Sequence, residues 1–173
     1  MKLNGNIISE LIIPNTATTI KDHAFEGCYL TAVVIPNTIT SIGSQSFGGC
    51  SSLKSIALSS GITSIGDLAF YGSNLSSLVI PKSIINIGSR AFWDCDNIGY
   101  ITILGNPTVQ ENAFSKCKNL RDIYCYSKDP LDAHNAFGDT NLSLITLHVP
   151  VEAIDKYKES EIWCKCGSIV PIK

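Results

Sequence analysis

The sequence predicts a mostly β solenoid, with about seven short parallel strands forming one face and little helix outside a closing segment at the C-terminus. Three observations predict it. Phe25, Phe47, Phe70, Phe92, Phe114 and Phe137 recur at intervals of 22, 23, 22, 22 and 23 residues. A small residue precedes each one (Ala24, Ser46, Ala69, Ala91, Ala113, Ala136), and another small residue follows three later (Cys28, Cys50, Ser73, Cys95, Cys117, Thr140). An apolar-x-apolar pair then closes each copy: Val33/Ile35, Ile56/Leu58, Leu78/Ile80, Ile101/Ile103, Ile123/Cys125 and Ile145/Leu147. A unit of about 22 residues cannot bury its apolar face alone, so self-similarity at this period means stacked coils.

Within a copy, the closing pair has the period-2 alternation and the Ile/Val content of a strand. Ile8, Leu11 and Ile13 supply an earlier strand, which makes seven strands and six connections. Copies joined head to tail place their strands in parallel, ~4.8 Å apart. The connection is too short for a long helix and two turns. Pro14, Pro36 or Pro81 follows the strand, and Ile20, Ile42, Ile65, Ile87 or Val109 lies five before the phenylalanine. This pattern predicts extended or 3₁₀ pieces on the convex side. Gly43, Gly66 and Gly88 follow the convex isoleucine and predict a positive φ or a close backbone approach, although Lys21 and Gln110 stand in the same column. Copies five and six depart from the pattern at Gly105–Val109 and Ser127–Asp132, where the convex surface is expected to bend or widen.

After Val149-Pro150 the period stops. Val151, Ile154 and Tyr157 fall on one side of a helical stretch, Pro150 suits its start, and Ile162, Trp163, Ile169 and Ile172 follow. The chain therefore divides into a solenoid over residues 1–150 and a cap over 151–173, made of a short helix and an extended segment that covers the seventh strand. At the other end the strands begin almost at Met1 without a polar cap. The open coil predicts either an upstream segment or end-on contact with another chain, including self-association.

Composition excludes several functions. Net charge is −2 with no Lys/Arg run, which argues against nucleic acid. No run of 18 apolar residues appears, so no membrane insertion is expected, and MKLNGNIISELII does not read as a signal peptide, which leaves a cytosolic protein or a piece of a longer chain. His23, His134 and His148 do not converge with a nucleophile or carboxylate pair, and no phosphate loop or metal-ligand cluster appears. The reading is a non-enzyme without cofactor or metal. Among the seven cysteines, Cys28, Cys50, Cys95 and Cys117 share a column that Ser73 and Thr140 also occupy, as suits a small buried slot. Parallel Cβ vectors disfavour disulfides between neighbouring coils. Cys125 is expected in the core. Cys164 and Cys166 form a C-x-C without the spacing of a metal site.

Units such as IPNTITSIGSQSFGGCSSLKSIAL and IPKSIINIGSRAFWDCDNIGYITI resemble the BspA-type, or Treponema pallidum-type, leucine-rich repeat, from Leu11 to about Pro150. The resemblance implies an α/β-class leucine-rich-repeat solenoid, mostly β, coiled right-handed with a parallel concave sheet. It implies a bacterial cell-surface or secreted protein whose adhesin-like role is to bind a host or microbial protein. The family shares no catalytic site, so no functional residue is carried over.

Parallel strands on a concave face present outward side chains in columns, and solenoids bind with such faces. The centre column reads Ile12, Val34, Ala57, Val79, Thr102, Tyr124 and Thr146, with His148 in the column after it. The C-terminal half gathers Tyr100, Arg121, Asp122, Tyr124 and Tyr126, residue types enriched at binding hot spots. These five are the candidate contact residues for a protein ligand such as a host matrix protein. A structural stalk that displays another domain, or a glycan-binding module, is the alternative.

Overall fold

Successive side chains of a strand point to opposite faces, and the apolar-x-apolar pairs turn inward accordingly. Val33, Ile35, Leu78, Ile80, Ile101, Ile103, Ile123 and Cys125 are buried. The computed structural model describes residues 9–172 together with the two-residue strands Lys2–Leu3 and Asn6–Ile7, which pair antiparallel. Ile8, assigned from sequence to the first strand, lies outside the described residues. The concave ladder comprises a three-stranded part (Glu10–Ile12, Ala32–Val34, Ser55–Ala57) and a five-stranded part (Ser77–Ile80, Tyr100–Ile103, Asp122–Cys125, Thr146–Val149, Ser168–Pro171), parallel throughout. Where the two parts meet, Ser76 N donates to Lys54 O at 3.2 Å, and Ile56 and Leu58 are only half-buried.

Two features of this ladder differ from the sequence expectation. The extended C-terminal segment does more than cover the seventh strand. Ser168–Pro171 pairs with Thr146–Val149 as an eighth parallel strand. The register of the Thr146–Val149 strand also differs. Ile123 pairs with Leu147 and Tyr124 with His148, so the inward pair there is Leu147 and Val149 in place of Ile145 and Leu147. The 3₁₀ turn Leu142–Leu144, capped by Asn141 Oδ1 accepting from Ser143 N at 3.1 Å, takes up the extra residues. Ile145 is buried ahead of the strand.

The convex side carries a second parallel ladder of two-residue strands: Thr19–Ile20, Ser41–Ile42, Ser64–Ile65, Asn86–Ile87 and Thr108–Val109. Each presents one buried aliphatic residue inward. The irregular copy five keeps this ladder, because Val109 still supplies the inward residue. Gly43, Gly66 and Gly88 are there for close approach rather than positive φ. A Cβ on each would stand 2.5, 2.6 and 2.7 Å from the amide nitrogens of Asp22, Ser44 and Asp67, respectively. The left-handed positions fall elsewhere. The residue two before every phenylalanine (His23, Gln45, Leu68, Arg90, Asn112, Asn135) has φ between 53° and 60°.

Between the ladders the six phenyl rings stack, with adjacent centroids 5.1–5.7 Å apart and interplanar angles of 3–24°. The amide of Phe25 donates to Ser46 O at 2.7 Å, and those of Phe47, Phe70, Phe92 and Phe114 donate to Ala69, Ala91, Ala113 and Ala136 O, each at 2.8 Å. The small residue before the phenylalanine is what permits this approach.

In copy six the convex ladder ends, and the C-terminal segment takes over its acceptors. Trp163 Nε1 donates to Leu131 O at 3.0 Å, and Tyr157 Oη lies 3.1 Å from Asp129 O and 3.3 Å from Ser127 O. The Trp163 ring meets Phe137 edge-on at 5.4 Å and closes the phenyl column. Tyr157 belongs to the α-helix Ile154–Glu159, which follows a 3₁₀ turn at Val151–Ala153. That turn points Val151 outward, at 70% exposure, and buries Ala153 instead.

Three stability measurements test this packing. Phe70→Ala or Phe92→Ala removes a fully buried ring and should lower the unfolding free energy by about 3–5 kcal/mol in denaturant titration. Trp163→Ala should cost a similar ~3–5 kcal/mol, with amide exchange accelerating first in the coil around Phe137. Ser46 Oγ is buried without a hydrogen-bond partner, and alanine fills this column in other coils. Ser46→Ala should therefore be neutral or stabilise by roughly 1 kcal/mol, and a clear loss of stability would contradict this account of the column.

Candidate functional site

Alternation along each concave strand leaves every second side chain facing out, and the ladder register aligns those side chains into columns. The centre column, set by register within each part of the ladder, is Ile12, Val34 and Ala57, then Val79, Thr102, Tyr124, His148 and Val170. His148 therefore occupies the place the sequence reading gave to Thr146, and Thr146 falls in the neighbouring column beside Asp122. The N-terminal half of the face is aliphatic and open, with Ile12 at 76%, Val34 at 52% and Val79 at 49% exposure.

The C-terminal half holds the five candidate contact residues. Tyr100 and Asp122 are register partners on adjacent strands, as are Thr102 and Tyr124. The ring of Tyr124 stacks on that of His148, with centroids 4.2 Å apart and planes at 12°. His148 Nε2 donates to Asp122 Oδ1 at 2.9 Å. These contacts give Asp122, Tyr124 and His148 one fixed arrangement across two strands. Tyr100 and Tyr126 flank it and stay nearly half exposed. Arg121 is also exposed, but its Nη1 donates to the carbonyls of Lys118 and Leu120 at 2.9 Å each, which folds the guanidinium onto the turn before the strand. Sequence reasoning missed His148 as the centre of the cluster. Its place in the column was displaced by the two-residue register offset that the 3₁₀ turn takes up.

The remaining titratable groups are dispersed. His23 pairs with Glu26 at 2.7 Å on the surface, and Lys118 with Asp96 at 2.7 Å, which raises the Lys118 ammonium pKa. Among the described residues no group of three His, Cys, Asp or Glu side chains is placed to hold a metal ion. All seven cysteines are free. Burial pushes the thiols of Cys50 and Cys166 up to about 12 and that of Cys95 up to about 11, and it raises Cys117 and Cys125 as well. A face of rigid apolar and aromatic columns, with one hydrogen-bonded His–Asp pair, is suited to contact with another molecule by burial and stacking.

A family model described as the BspA type leucine rich repeat region matches residues 4–121 and 50–160, with six copies. Among solved structures, a leucine-rich repeat protein from Bacteroides ovatus is 27% identical with a TM-score of 0.65, over 84% of this chain and 40% of its own. The T. pallidum leucine-rich repeat protein TpLRR is 26% identical with a TM-score of 0.63, over 69% of this chain and 60% of its own. The pneumococcal vaccine antigen PcpA shares the fold at 18% identity and a TM-score of 0.73, over 98% of this chain and 42% of its own. The chain thus spans 40–60% of the length of these solved structures. No curated protein matches the sequence significantly.

The thiol environments predict an order of reactivity. Cys164 is exposed and Cys95, Cys117 and Cys125 are buried. In the native protein near neutral pH a maleimide should label Cys164 fastest, and the buried three only as fast as the protein unfolds, since the thiolate is the nucleophile. Peptide mapping against time checks this, and rapid labelling of Cys125 would contradict the buried placement.

Proposed function

The chain belongs to the BspA-type leucine-rich-repeat family, and we propose that it is a protein-interaction module that binds through its concave face. The observation that carries this reading is the fixed Asp122–His148–Tyr124 arrangement, flanked by Tyr100 and Tyr126, beside an open aliphatic column. Tyrosine brings a large contact area at low conformational cost. The backbone beneath it is held in the five-stranded parallel ladder, so little ordering is required on binding. The aliphatic residues Val79, Val34 and Ile12 extend the same surface toward the N-terminal coils.

The partner class is a protein of the host or of a neighbouring microbe, met at a bacterial cell surface or in secreted form. This part of the reading rests on the family, whose members include surface proteins of host-associated bacteria. The chain acts as an adhesive module, and no chemistry is assigned to it.

The test is binding of the purified chain to an immobilised panel of host extracellular-matrix proteins, with Tyr100→Ala/Tyr124→Ala against a control, Ile85→Ala, at an exposed residue just before the convex strand Asn86–Ile87. Hot-spot truncation should weaken binding by roughly tenfold or more, about 1.4 kcal/mol, while the control binds as wild type. Equal binding by the double variant and the wild type would remove the concave cluster from the interface.

A further inference from the structure

Cys28 and Cys50 occupy one column on adjacent coils, and their sulfurs lie 2.9 Å apart, closer than van der Waals contact. Among the described residues no other two cysteine sulfurs hydrogen-bond to each other. Cys95 and Cys117 make an internal comparison, because they too are 22 residues apart in the same column. There, as for Cys50 with Phe25 O at 3.1 Å, each sulfur reaches the carbonyl of the preceding coil's phenylalanine, Cys95 to Phe70 O at 3.2 Å and Cys117 to Phe92 O at 3.5 Å, but the two sulfurs make no hydrogen bond to each other. Cys95 also meets Ser73 Oγ at 3.2 Å. Both are at most 1% exposed.

The first pair differs in access as well as distance. Cys28 is half-buried and Cys50 fully buried, with their sulfurs in contact, whereas Cys95 and Cys117 are both buried. Parallel neighbours ~4.8 Å apart also lie within the Cα range that disulfides span. Parallel Cβ vectors would disfavour a bridge at an average position, but at this pair the side chains have already converged.

We propose that Cys28 and Cys50 form a modification site, which a low-molecular-weight disulfide oxidises to a bond that staples the first coil to the second. The Cys28 thiolate attacks one sulfur of the reagent and expels the other as a thiolate, leaving a mixed disulfide on Cys28. Cys50 passes its proton to the expelled thiolate and attacks Cys28 Sγ, which releases the second reagent thiolate. One S–S bond breaks and one forms. The two cysteines lose two electrons and two protons, and the reagent leaves as two thiols.

The staple has a clear place to act. In the first coil Leu11 and Phe25 are only half-buried and Ala24 is exposed, whereas Phe47, Phe70 and Phe92 and the small residues before them are buried. A cross-link from Cys28 to Cys50 ties this least-covered coil to the first fully covered one.

Trypsin leaves both cysteines on one peptide, residues 22–54, and separates Cys164 from Cys166 at Lys165. The full chain is incubated with oxidised glutathione, then unfolded, alkylated and digested. The expected peptide 22–54 takes up no alkyl group and weighs two hydrogens less than its reduced form, while the peptides bearing Cys95 and Cys117 are alkylated as in the untreated protein. Cys50→Ser, a residue this column already accepts at Ser73, should leave Cys28 as a glutathione adduct. Limited proteolysis within the first coil should slow in the oxidised wild type and not in oxidised Cys50→Ser. A wild-type peptide that is doubly alkylated, or that carries glutathione on Cys28, overturns the proposal. So does bridging of Cys95 to Cys117 to the same extent.

Discussion

Each phenylalanine amide from Phe25 to Phe114 reaches a carbonyl of the following coil at 2.7–2.8 Å, while its ring lies 5.1–5.7 Å from the next ring in the column. The two contacts constrain each other. The hydrogen bond sets the coil spacing, and the stacked ring fills the volume that this spacing leaves between the ladders. A bulky residue before the phenylalanine would hold the backbones apart, and a smaller residue in its place would leave a void through several coils. The concave strands, the convex strands and the surface they display all inherit their alignment from this column.

The first and last described coils of the stack differ in how far they are covered. At the C-terminus side chains replace the missing next coil: Trp163 caps the phenyl column edge-on, and Trp163 Nε1 and Tyr157 Oη reach the backbone carbonyls of the last connection. The chain then returns as the strand Ser168–Pro171 and extends the concave ladder. At the other end Phe25 has one neighbouring ring and remains half-buried. Burial of the core thus rises from the first coil to the second and persists to the cap.

The concave face follows from register more than from composition. The tyrosines stand on different strands, and the parallel pairing brings Tyr100 beside Asp122 and Tyr124 beside His148. The stacking of Tyr124 on His148 and the hydrogen bond from His148 to Asp122 then hold three side chains in one arrangement. An interaction surface built this way loses little conformational freedom on contact with a partner.

The sequence by itself determined the coil period, the parallel strands and the inward columns as far as Ile123 and Cys125. Each of these is encoded by apolar residues recurring at fixed spacing, and burial of such residues is insensitive to local detail. The tertiary structure alone decided the left-handed turn before every phenylalanine, since His, Gln, Leu, Arg and Asn share no sequence signature for it. It also decided the glycine contacts at Gly43, Gly66 and Gly88, which depend on the neighbouring backbone, and the return of the C-terminal segment as a strand. The placement of His148 beside Tyr124 was hidden for a similar reason. Two residues absorbed in the Leu142–Leu144 turn shift every later side chain by one full alternation, and that preserves the inward–outward pattern while changing which residues meet.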